Sequence, residues 1–222
     1  MARGHRHERG CRFVSLGLVS QAAHAHGSVQ GLGNFFSGVV HPLFEPAHLI
    51  ALIALGPVLG QRGLKNTRPA ALCFVAGSAL GLLAVGLGWA PSTDPFLLAA
   101  AALVGLAVAT AVALPRVFCA LIAALVGLGI GLGSEPESVT GTARIVMLLG
   151  AGVGVCVWMF NVVGLVHELK RPWLQILVRV FGSWITASAL LVMAWWISGK
   201  PLNSTLPAAR SAAPPVVLDT AR

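Results

Sequence analysis

Six long apolar stretches dominate this chain, and they leave few folds open to it. They run at about 36–60, 70–89, 95–114, 117–133, 143–166 and 174–198. A hydrocarbon core of ~30 Å takes about 20 helical residues to cross. None of the stretches alternates polar and apolar residues at period two, which disfavours a membrane barrel. Lipid cannot satisfy open backbone groups, so helices remain. Charged residues make up only 10% of the 222, against roughly 25% in soluble domains. The expected fold is all-α: a polytopic bundle of about six transmembrane helices spanning residues 28–199.

The formal charge of +8 raises the question of nucleic acid. Arg3, Arg6, Arg9 and Arg12 crowd the first twelve residues, and others fall in short gaps between apolar runs. That distribution fits membrane orientation and no nucleic-acid partner. The first, third and fifth gaps carry Arg62, Lys65 and Arg68, then Arg116, then Lys170 and Arg171. These gaps should face the cytoplasm, leaving both termini outside a bacterial-type inner (plasma) membrane. Residues 1–27 resemble an export signal: a basic start, a short apolar stretch and small residues at Ser20, Ala22, Ala23 and Ala25. An ordinary polar tail is the other reading. Residues 200–222 have the composition of a disordered tail.

Glycines spaced for close helix contact occur at Gly77 and Gly81, Gly127 and Gly131, and Gly150 and Gly154. Cys73, Cys119 and Cys156 sit singly in apolar runs and read as packing residues. No phosphate-binding loop, HExxH or GxSxG motif is encoded, so neither an ATPase nor an enzyme is expected.

The residues with chemistry to offer open the first stretch: His41, Glu45 and His48. Ionisable groups at membrane depth are costly and mark functional candidates. On a straight helix the three share a stripe, with the histidines ~10.5 Å apart along the axis. That is too far for one ion, which leaves two half-sites sharing a carboxylate, or a bent helix. Pro46 favours a bend and frees the carbonyl of Pro42 as a further ligand. Imidazole with carboxylate suits nickel, cobalt, zinc or iron(II). A plain interfacial hydrogen-bonded pair is the competing reading. His24 and His26 form a second candidate capture point for metal. Asn161, deep in the fifth stretch, is a candidate pore-lining ligand or helix–helix hydrogen bond. Arg179 should snorkel or pair with Glu168.

The segment Ala23-His24-Ala25-His26-Gly27, then His41-Pro42-Leu43, then His48 followed by a leucine- and alanine-rich helix ending at Gly56, resembles the HupE/UreJ family of small membrane proteins. Where relatives place an aspartate before the second histidine this chain has Ala47, and Glu45 replaces a usual glycine. The resemblance implies a permease for nickel, sometimes cobalt, carried as Ni(II) or Co(II), with no permanently bound cofactor. A non-transporting accessory protein that holds metal or a partner for hydrogenase or urease maturation is the alternative. Its partners would be the divalent ion and the lipid bilayer, and association into a homo-oligomer is allowed.

Overall fold

The computed structural model describes residues 31–61, 64–136, 139–169 and 171–198. The signal-like segment with His24 and His26, and the tail at 200–222, lie outside the described residues. Seven helices and no strands occur among the described residues: α1 (Gly33–Phe44), α2 (Pro46–Gly60), α3 (Leu64–Gly86), α4 (Asp94–Ala109), α5 (Arg116–Leu132), α6 (Gly141–Glu168) and α7 (Pro172–Ser198). Each later apolar stretch is one helix. The first is two helices, bent by 71°. α3, α6 and α7 are long and apolar enough to cross a membrane, and the bent α1–α2 pair passes that test jointly. α4 and α5, at 16 and 17 residues, are shorter. The outward surface is apolar, with Leu72, Leu103, Val117 and Leu191 each at least 70% exposed. Water does not tolerate such a continuous coat, and this is a membrane protein.

α2 is the hub. It touches all six other helices, and eleven of its fifteen residues are buried. Its sequence is apolar on every side, as a helix enclosed by others requires. Around it three helix pairs lock through glycine: α3 with α5, α4 with α7, and α1 with α6. In lipid, apolar side chains gain little by leaving their surroundings, so association rests on close backbone approach. Gly77 and Gly81 of α3 lie against Ala124, Leu128 and Gly131 of α5, while Gly127 lies against Phe74. Gly105 of α4 faces Gly182 of α7, and Thr186 adds a 3.2 Å hydrogen bond to the carbonyl of Ala102. Gly150 and Gly154 of α6 receive the backbone of Phe35 and Val39 on α1. Trp158 Nε1 donates to the Val39 carbonyl at 3.0 Å.

The same contacts fix direction. α1 lies along the Gly150–Gly154 stretch of α6, and Gly56 and Gly60 of α2 lie on Val162 and Val166 further down. The two halves therefore advance the same way along α6, and the break between them falls part-way down the bundle. At one end, Val85, Thr93, Gly133 and Arg144 bring together the ends of α3, α4, α5 and α6. At the other end, α2 leads to α3, α4 to α5 and α6 to α7.

These contacts make a stability prediction. A methyl at Gly127 has no room against the Phe74 carbonyl, whereas one at Gly164 meets nothing within 4 Å. Gly127→Ala should lose about 1–3 kcal/mol by overpacking. Gly164→Ala should be neutral or gain up to about 1 kcal/mol from helix propensity. Unfolding of the purified protein in detergent compares the two directly.

Candidate ion site at the helix break

Pro46 makes the break. It has no N–H for the carbonyl of Pro42, and it pushes the preceding residue out of the helical region. Glu45 is accordingly extended at φ −90° and ψ 109°. The Glu45 N–H donates to the His41 carbonyl at 3.3 Å, and its own carbonyl accepts from Leu49 at 3.0 Å. Glu45 thus closes one helix and opens the next. Pro46, at the first position of α2, suits a helix start.

The bend answers the distance problem posed by a straight helix. The rings of His41, in the last turn of α1, and His48, in the first turns of α2, lie with centroids 5.8 Å apart, edge to face at 76°. An imidazole nitrogen binds a metal at about 2.0–2.1 Å, so one ion can bridge rings this close. Glu45 does not complete the set. It is half-buried, it does not cap α2 with its carboxylate, and among the described residues no three His, Cys, Asp or Glu side chains gather as a metal-holding group. The shared stripe belongs to a straight helix and does not survive the break.

Burial singles out His48. It is fully buried, and neither its Nδ1 nor its Nε2 has a hydrogen-bond partner among the described residues. A buried polar group without a partner costs about 1–3 kcal/mol. Such groups call for an explanation, and a role as metal ligands is one. Two further oxygens, unremarked in the sequence, lie in this neighbourhood. Ser37, one turn before His41, is buried, and its Oγ has no partner among the described residues. The Thr93 Oγ1 and the His48 Nε2 both lie 2.6 Å from the point a Cβ would take on Gly133. The Thr93 hydroxyl donates to the Gly129 carbonyl at 2.9 Å, leaving its lone pairs for other use. The i, i+4 spacing of Ser37 and His41 is a usable signal in the sequence. Nothing local there links Thr93 or Gly133 to His48.

Asn161 stands apart from this group. It is exposed on α6, and its Nδ2 donates to the Val157 carbonyl of its own helix at 2.7 Å. Arg179 donates from Nε to the Ala109 carbonyl at 3.3 Å, closing the end of α4. Beneath α2, at the end of the bundle away from the histidines, a cavity of about 640 Å³ is lined by Gly60, Gln61, His167, Gln175 and Arg179.

The cost of His48 is open to measurement. An apolar residue of similar size removes the orphaned nitrogens, so His48→Leu should leave thermal stability in detergent equal or higher, by up to about 3 kcal/mol. A clear loss of stability would mean that the imidazole holds the fold together.

A family model described as HupE / UreJ protein matches residues 14–192 of the chain. No curated protein and no solved structure shows significant similarity to it.

Proposed function

The chain belongs to the HupE/UreJ protein family, and from that premise we propose that it is a membrane permease for a divalent transition metal ion, nickel or cobalt. The observation that carries this reading is the histidine pair at the break, with the nitrogens of His48 buried and without a hydrogen-bond partner among the described residues. Discontinuous helices are where membrane transporters build ion sites, because a break turns helix ends and loose carbonyls toward a cavity. Here the end of α1 offers the Pro42 carbonyl, the two imidazoles supply nitrogen, and Ser37 and Thr93 supply nearby oxygen. That donor set suits nickel or cobalt better than magnesium.

In this reading α1 and α2 together make one crossing, and α3 to α7 make five more. α4 and α5 are about 24–26 Å long at 1.5 Å per residue, and a locally thinned bilayer accommodates them. The basic connections face the cytoplasm of a bacterial-type inner membrane, with both termini outside. The pair then lies on the outer side of the bundle. His24 and His26 gather the ion ahead of it, Glu45 draws it in by charge, and the cavity beneath α2 releases it. The export signal fits the same topology. Asn161 has only a peripheral place in this scheme.

A second reading is an accessory protein that holds metal or a partner without transport. The lack of a third His, Cys, Asp or Glu ligand beside the pair, among the described residues, favours it. So does the small buried Ala47 next to His48.

Uptake and binding of radioactive nickel by cells making the wild type, His41→Ala, His48→Ala or Glu45→Gln separate the two. Permease action predicts wild-type uptake that falls at least about tenfold in each histidine variant, and less in Glu45→Gln. Binding without uptake would favour the accessory reading.

A further inference from the structure

His48 is closed off at the end of the bundle where α3, α4, α5 and α6 meet, and the closure is made by the connection that follows α5. Gly133 leaves no room for a side chain beside the His48 Nε2. Ser134 and Pro136 are buried in the same short segment. The backbone bonds of Gly133 and Ser134 run back to Gly129 and Gly131, and the Ser134 Oγ donates to the Ile130 carbonyl at 2.7 Å. All of these are local to α5 and its own end. The tie to the rest of the bundle comes through Arg144 of α6. Its Nη2 donates to Glu135 Oε2 at 3.0 Å and to the Val85 carbonyl, at the end of α3, at 2.6 Å. The Arg144 Nε is itself buried with no hydrogen-bond partner among the described residues. The guanidinium is therefore spent on this bridge, and it is incompletely satisfied there. The side chains of Arg144 and Glu135 are 26% and 36% exposed, so water can take over their charges when the contact parts.

We infer that residues 133–136 form a lid over the Nε2 of His48, latched by Arg144, which ties Glu135 to the end of α3. Glu135 and Arg144 are positioning residues: they touch no ion, and they set whether one can reach the histidine pair from that end. The small size of Gly133 lets the closed lid seat on the imidazole. The inference rests on the permease reading for its purpose, but the lid itself is tested without it.

The test uses full-length protein in detergent, with Cys11, Cys73, Cys119 and Cys156 replaced by alanine and Ser134→Cys as reporter. Its reaction rate with a hydrophilic maleimide measures lid opening. Adding Glu135→Gln, which removes the charge and keeps the shape, should speed labelling about fivefold, the scale of a part-exposed ion pair. Adding Glu135→Asp, which keeps the carboxylate, should restore most of the slow rate. Thr140→Cys, at a position already exposed, should label at one rate whether or not Glu135→Gln is present. Equal Ser134→Cys labelling in the presence and absence of Glu135→Gln overturns the lid. So does a matching rise at Thr140→Cys, which would mean general loosening. Faster labelling together with no nickel uptake by wild-type cells upholds the lid and removes the permease reading.

Discussion

The interruption at Glu45-Pro46 is the constraint on which the rest of this structure depends. A proline that cannot donate to Pro42, after a residue it forces out of the helical region, ends α1 and starts α2 in adjacent positions. The turn of 71° frees α2 to run down the centre, touching every other helix. It also leaves α1 to cross the upper part of α6. The two imidazoles meet only because the chain changes direction between them. Continued as one helix, the segment would hold them two turns apart.

A break at this depth leaves polar backbone in apolar surroundings, and the glycine contacts hold it in place. Gly150 and Gly154 accept α1, while Gly56 and Gly60 let α2 settle on Val162 and Val166. The bend angle is thus held by α6 on both sides of the proline. The same principle repeats in the other pairs, where backbone approaches backbone and side chains contribute little. A bundle assembled this way can carry an unsatisfied histidine in its interior, because its cohesion does not come from that site.

Much of the fold is legible in the sequence. Five apolar stretches correspond to single helices with ends shifted by a few residues, because stretch length and composition are properties of the chain itself. The glycine spacings read as packing signals, and Gly77 and Gly81 do meet the helix of Gly127 and Gly131. The family resemblance, carried by residues 23–56, extends to a match over most of the chain. The site is legible only in part. Pro46 announces a bend, but its size is set by α6, far away in sequence. The stripe joining Glu45 to the histidines presumes helical geometry at the one residue that leaves the helix. Asn161 lies deep within its stretch, yet depth along a helix does not say which face a residue takes. Thr93 and Gly133 reach His48 through the ends of α4 and α5, and no local pattern marks them.

The central claim is that the bend creates one site from two imidazoles. X-ray absorption on the nickel-loaded purified protein tests it most directly, read as the difference between the wild type and a variant carrying His41→Ala and His48→Ala, so that histidines elsewhere cancel. The account predicts that the difference spectrum shows one nickel ion with two imidazole nitrogens at about 2.0–2.1 Å. A null difference, or nickel bound through a single imidazole, would contradict it.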